Sequence, residues 1–323
     1  MTPEQAKKIA ARADTLPLYL HAYAYHLNMR LERILPEDLL EIAHRQGLHG
    51  VKIHVLDGES RSLAHASPGR LTRFGAAARR LGLDIHIETS ASDRDTLAQA
   101  IGIAEGCGAS SVRFYPRYEG ALSQVLSQIR ADIQTLRRHH RHSGLSFTLE
   151  QHEDLKSHEL AALIAESDFP ALTLLFDFAN MINANEEPLP ALSTMAPHVT
   201  QVHIKDAQIT REARGLGHQA CISGQGEMPM RQLLTELICL GETQPQVTAY
   251  GLEEEVDYYA PPLRFADEGA DPWIPWRAMS ETPLPQRDLA QRLAQEQQDA
   301  LNQIHYVRTL VQDIKREALN LIN

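Results

Sequence analysis

Eight short apolar runs alternate with amphipathic stretches from one end of this chain to the other. The runs cover 18–25, 50–56, 84–89, 111–115, 146–150, 172–177, 199–204 and 247–252. Each is too short for a stable helix and reads as a buried strand. Between them lie helical patterns such as PEDLLEIAHRQG, RLTRFGAAARRLG and LSQVLSQIRADIQTLRRHH. Several end at a glycine, as helix stops often do. Strands that alternate with helices predict a parallel sheet, and eight is the number that closes a (β/α)8 TIM barrel. An open, doubly wound sheet fits less well. No GxGxxG follows the first run, and the chemistry-bearing residues spread over many runs instead of one switch point.

The length of 323 residues suits one such barrel. We expect a single TIM-barrel domain over 1–323, with the barrel at roughly 16–256 and a loop-plus-helix extension over 257–323. Aromatics and prolines in DYYAPPLRFADEGADPWIPW predict an ordered loop. Leu289, Leu293, Leu301, Ile304, Val307, Val311 and Ile314 then recur at helical spacing. That long helix is expected to pack on the barrel wall, with a homo-oligomer contact as the alternative. The segment after the seventh run, DAQITREARGLGHQACISGQGEM, reads as a long Gly- and Arg-rich loop.

The bulk properties exclude several classes. A formal net charge of -11 argues against a nucleic-acid partner, which needs a basic face. Three cysteines without CxxC spacing indicate neither a disulfide framework nor a thiolate zinc site. No apolar stretch approaches the roughly 18 residues of a membrane span. The N-terminal segment reads as a short amphipathic helix, not a signal peptide. A reducing, cytoplasmic setting is the expectation.

Four consecutive runs end in metal-ligating side chains: Glu150 in SFTLEQHED, Asp177 in LTLLFDFAN, His203 in VTQVHIKDA and Glu253 in VTAYGLEEEV. The C-terminal ends of barrel strands share one rim, which is the catalytic face. Three carboxylates brought together without a cation would repel one another and shift upward in pKa. One divalent ion resolves that conflict. The oxygen-rich donor set favours Mn²⁺ or Mg²⁺, with Co²⁺ or Zn²⁺ as alternatives. A single strand-end carboxylate is more often a cap or a salt-bridge partner; the coincidence of four carries the reading.

The motifs TLEQH, FDFAN, VHIKD, GQGEM at 224–228 and LEEEV together resemble the xylose isomerase-like TIM barrels, over roughly 18–256. That superfamily includes sugar and sugar-phosphate isomerases and epimerases. In its ketose 3-epimerases the four matching residues bind Mn²⁺ or a similar ion, and the two glutamates work on opposite faces of the substrate. The resemblance therefore implies Glu150, Asp177, His203 and Glu253 as ligands, with Glu150 and Glu253 also as acid and base. It implies a metal-dependent sugar or sugar-acid isomerase or epimerase with an enediolate intermediate. A lyase is the alternative outcome, because the same intermediate can lose water, a glycosidic group or CO₂. The partner would be a small carbohydrate. Endonuclease IV shares the superfamily, but it needs more histidines and a basic face.

The chain departs from the epimerase pattern around the ligands. Asn180 stands where those enzymes carry a substrate-binding histidine, and Lys156 where they carry an acid. Arg211 and Arg214 lie near the position of their substrate arginine. Substrate contacts are expected from His21, His54 and His86 on the first three runs. Tyr115, His152, Asn180 and Lys205 complete that set. Lys205 is placed either on a substrate oxygen or in a salt bridge to the acidic rim. Glu255 competes with Glu253, since alternation puts both on one face. Arg113 and Arg117 reach the mouth or brace the wall. Tyr258, Tyr259, Trp273 and Trp276 either cap the pocket or pack under the final helix.

Overall fold

The computed structural model describes residues 1–278 and 282–322. Part of the expected extension, 279–281, and residue 323 lie outside that range. The apolar runs become β1 (Leu18–His21), β2 (Gly50–His54), β3 (Asp84–Thr89), β4 (Ser111–Phe114), β5 (Ser146–Glu150), β6 (Leu172–Asp177), β7 (Val199–Ile204) and β8 (Ala249–Leu252). All pair in parallel, and β8 returns to β1, closing a TIM barrel. Burial on both faces explains why the strands read as apolar runs instead of alternating ones.

Four strands are shorter than their apolar runs, for local reasons. β1 stops at His21, whose Nδ1 accepts a hydrogen bond from the Tyr23 amide and caps a turn over Ala22–Tyr25. β2 stops at His54, where Asp57 accepts from the His54 amide. β4 ends at Phe114, one residue before Tyr115, and β8 begins at Ala249.

Helices cover the barrel between strands. Pro68–Leu81 and Arg94–Cys107 end at Gly82 and Gly108, both left-handed with φ of 71° and 69°. That conformation costs glycine no Cβ clash. The N-terminal helix Pro3–Arg12 forms as expected, with a Thr2–Gln5 capping box.

The segment after β7 is not a loop. Asp206–Arg211 and Leu216–Cys221 form an antiparallel hairpin, to which Tyr259–Ala260 adds a third strand. The Asp206 carboxylate accepts from the amides of Gly224, Gly226 and Met228 and so folds the GQGEM turn. A Cβ at Gly226 would lie 2.1 Å from Asp206 Oδ1, which accounts for glycine there.

Beyond β8, Trp273–Ile274 pairs with Gly120–Ala121 on the far side of the mouth. The terminal helix, Leu289–Ile322, spans roughly 50 Å at 1.5 Å per residue. It buries Leu293, Ile304, Val307, Val311 and Ile314 against the N-terminal helix and the barrel wall. Glu296 fixes its start by accepting from the amides of Leu27 and Asn28. No helix among the described residues is long and apolar enough to cross a membrane.

Candidate metal centre and cavity

The strand ends bring the four expected ligands together. Glu150 and Asp177 close β5 and β6, His203 is next to last in β7, and Glu253 follows the last residue of β8. Asp177 and His203 are direct cross-strand partners. Gly251 on β8 lies opposite His203, and a Cβ there would sit 3.0 Å from the His203 ring. Glycine thus leaves the imidazole its place. All four side chains are buried.

Ligand atoms of Glu150, Asp177 and His203 lie within 4.8 Å of one another. Glu253 joins through an Oε2 to His203 Nδ1 distance of 2.8 Å. Glu150 Oε2, Asp177 Oδ2, His203 Nδ1 and Glu253 Oε2 are all buried and none has a partner in hydrogen-bonding geometry, although each has a charged neighbour close by. One ligating atom from each of the four residues, three oxygens and one nitrogen, fits a hard or borderline divalent cation.

The protein supplies counter-charges of its own. Arg113 Nε lies 2.9 Å from Glu150 Oε2, and Arg113 Nη2 also pairs with Glu88. Lys205 Nζ lies 3.3 Å from Asp177 Oδ2 and 3.5 Å from Glu253 Oε1. Burial lifts the Asp177 carboxyl to about 6, with the charges of Glu253 and Glu150 adding to it and Lys205 opposing. Burial opposes ionisation of Glu253 too, but Lys205 and His203 outweigh it and hold that carboxyl well below its usual range. Burial works against a charged His203, yet Glu253, Glu88 and Glu150 raise it well above an ordinary histidine.

Sequence reasoning missed Glu88. This fully buried residue on β3 accepts from His21 Nε2 at 2.8 Å, and lies 3.2 Å from His203 Nε2 and 3.5 Å from Lys52 Nζ. A carboxylate on Nε2 orients His203 so that Nδ1 faces the other candidate ligands, the arrangement outer-shell carboxylates take at metal sites. The signal was available, because Glu88 shares a strand face with His86. His21, Glu88 and His203 also form a second cluster of ligating atoms within 4.8 Å.

A cavity opens above the centre. His54, Tyr115, His152, Lys205 and Glu253 line it, together with Glu255. His54 Nε2 pairs with Ser90 Oγ at 2.9 Å. Tyr115 and His152 stack with ring centroids 3.7 Å apart. His21 lies beneath, edge-on to His203 and bonded to Glu88. Asn180 donates to the Gln151 carbonyl at 3.2 Å and to Glu150 Oε1 at 3.5 Å, so it braces a candidate ligand.

His86 is not brought to the cavity. It sits at the other end of the barrel, 3.2 Å from Asp84 and against the Tyr19 ring. Three residues into β3 is too early in the strand to reach the C-terminal rim. Arg211 and Arg214 stand on the hairpin, outside the lining, and Arg214 pairs with Asp267. Lys156 pairs with Glu268 at 2.6 Å. Trp273 and Trp276 are exposed, not buried under the final helix, while Tyr258 lines the cavity. Glu254 points away and accepts from the Ser223 amide and hydroxyl.

The family profile described as "Xylose isomerase-like TIM barrel" matches residues 36–241. The chain is 64% identical to the uncharacterized protein YihM of Escherichia coli (strain K12), over 100% of this chain and 99% of that one. It is 22% identical to a 3-oxo-isoapionate decarboxylase of Pectobacterium atrosepticum, over 67% of this chain and 70% of that one. Among solved structures, a D-psicose 3-epimerase crystallised with D-fructose superposes with a TM-score of 0.59 at 13% identity, covering 92% of this chain and 99% of the other.

Proposed function

This chain belongs to the xylose isomerase-like TIM barrel family, and on that premise we propose a divalent-metal-dependent enzyme acting on a small sugar or sugar acid through an enediolate, as an isomerase or epimerase. The observation that carries the reading is the convergence of four buried ligating side chains, Glu150, Asp177, His203 and Glu253, at the strand ends. These residues would hold the ion, with Mn²⁺ or Mg²⁺ favoured by the donor set over Co²⁺ or Zn²⁺. A bound ion of this kind supplies Lewis-acid stabilisation of negative charge developing on a substrate oxygen.

The remaining work falls to the chain's own side chains. Glu253 borders the cavity and takes or returns the proton at the substrate carbon. Glu150 on the opposite side completes an acid–base pair in the epimerase reading. Lys205 balances Asp177 and Glu253 and presents an N–H donor to the substrate. His54, Tyr115 and His152 place polar groups around the ligand. The test is elemental analysis of the purified protein, then incubation of the metal-loaded enzyme with keto-sugars in deuterated water. Bound metal with deuterium gained by a product of otherwise unchanged mass supports the reading. No metal uptake, or no exchange with any sugar offered, sinks it.

A second reading, a lyase on a keto-sugar, has its own observation. Arg113 and Asn180 both engage Glu150, and the cavity lining includes Glu253 but not Glu150. A site with one proton carrier facing the substrate serves elimination or decarboxylation better than inversion. The 22% likeness to a decarboxylase supports the same direction. A product lighter by water, CO₂ or an alcohol selects the lyase; unchanged heavy-atom composition rejects it.

A further inference from the structure

Arg277 comes from the extension beyond β8, outside the 36–241 stretch that matches the family profile. Its side chain is 8% exposed and forms part of the cavity wall. Nη1 meets His152 Nδ1 at 2.8 Å and Glu153 Oε2 at 3.1 Å. Nη2 donates to Asp154 Oδ2 at 2.9 Å and to the Pro116 carbonyl at 3.4 Å.

A guanidinium has only donors and keeps its proton at any working pH. His152 Nδ1 must therefore accept, and a ring nitrogen that accepts carries no hydrogen. The neutral imidazole then bears its proton on Nε2. The His152 ring is fixed on its face by Tyr115 at 3.7 Å, and the side chain remains partly exposed to the cavity.

We propose that Arg277 is a positioning residue that locks His152 as an Nε2–H donor, so that the cavity reads an acceptor oxygen on the substrate at that point. The inference rests on the reading of this cavity as the substrate site. Arg277 does not bind the substrate's own negative charge, because Glu153 and Asp154 already neutralise it. Its role is to orient a neutral donor toward a carbonyl, a hydroxyl oxygen or an oxyanion forming away from the metal centre. A fixed donor costs no reorganisation when charge develops there.

The surrounding architecture is built for this. Glu153 holds a left-handed backbone, φ 69°, in the loop directly after Glu150. Non-glycine residues adopt that conformation only when neighbours over-determine it. Three side chains of the extension do so. Tyr258 donates to Glu153 Oε1 at 2.6 Å, Arg264 donates to the Asp154 carbonyl at 2.9 Å, and Arg277 takes both acids. The extension therefore shapes the loop between a ligand and the cavity.

The test reads the tautomer directly and needs neither metal nor substrate. Full-length protein is labelled with ¹⁵N-histidine, and two-bond ¹H–¹⁵N correlations are recorded near neutral pH. The His152 signal is assigned by its loss in His152→Gln. We expect a single neutral pattern with bare Nδ1 and protonated Nε2 in the wild type. In Arg277→Met we expect a shift to a mixture of tautomers. A wild-type pattern with protonated Nδ1 overturns the proposal even if the variant misfolds. An unchanged pattern in a folded Arg277→Met overturns Arg277 as the cause. Either result leaves the metal reading intact, since that stands or falls on metal content and turnover.

Discussion

Glu88→Gln is the sharpest probe of how the candidate metal centre is organised. The glutamine fills the same volume but turns one carboxylate oxygen into an amide NH₂. Donors face both oxygens: His21 Nε2 and Arg113 Nη2 on one, His203 Nε2 and Lys52 Nζ on the other. Whichever way the amide turns, two donors confront a third. Arg113 and Lys52, both buried, also lose a counter-charge. Removing one partner of a buried pair costs about 3–5 kcal/mol. The retained oxygen still serves one pair of donors, so we place the loss near the lower bound, about 3 kcal/mol. The same change frees the His203 ring. Loss of an outer-shell carboxylate weakens metal binding by about 10–100-fold, or about 1.4–2.8 kcal/mol. Urea unfolding of the metal-free protein measures the first effect, and Mn²⁺ calorimetry the second. An unchanged unfolding free energy together with a Mn²⁺ affinity within about threefold of wild type would refute the account of Glu88 as the anchor of His203.

Glu253→Gln should abolish turnover while folding survives; near-normal activity with metal still bound removes Glu253 from acid–base work. Glu150→Gln should also abolish turnover in the epimerase reading, and an active variant would confine Glu150 to holding the ion and Arg113. His203→Ala should lower the metal content of purified protein, and unchanged content by elemental analysis takes His203 off the ligand set. Burial opposes the charge on Glu268, but hydrogen bonds from Arg264 and Lys156 hold its carboxyl down at about 2. A depressed carboxyl stabilises the fold above its unfolded value of 4.5 and loses that contribution as the pH falls toward about 2. Amide protection over 257–278, taken relative to the intrinsic exchange rate at each pH, should therefore fall in that acid window, and Glu268→Gln should flatten the fall; an equally steep fall in the variant rejects the linkage.

The barrel was legible because strand burial on both faces writes itself as apolar runs. Strand ends were less so. His21 and His54 look like strand residues, yet each closes its strand by accepting a backbone amide on its ring. The hairpin after β7 was read as a loop because its residues are polar and Gly-rich; its own antiparallel ladder makes it regular, and Asp206 and the third strand at Tyr259–Ala260 anchor it. That Glu150, Asp177, His203 and Glu253 converge was legible from position, at the ends of successive runs. Glu88 was overlooked, although it shares a strand face with His86, because it stands inside a strand and its partners come from β1, β2, β4 and β7. Arg277 left no signal at all, since it reaches His152 across 125 positions of chain.

The centre also explains how so many buried acids share one barrel. Arg113 bridges Glu88 and Glu150, and Lys205 bridges Asp177 and Glu253. Each cation serves two carboxylates, and Lys52 adds a third positive charge below. The pairing is not symmetrical in what it leaves free. Arg113 is enclosed with its acids, whereas Lys205 and Glu253 both border the cavity. One half of the centre is thus built to hold its geometry and the other to meet a ligand. That asymmetry, more than the identity of the four ligands, separates the two proposed chemistries. Inversion needs proton carriers on both faces of a carbon; elimination and decarboxylation need one face, a stabilised enediolate and a donor for a departing or charged oxygen. Lys205, Glu253 and His152 stand together on the open side, an arrangement that suits a one-faced reaction, whether isomerisation or the lyase alternative, and leaves inversion dependent on Glu150.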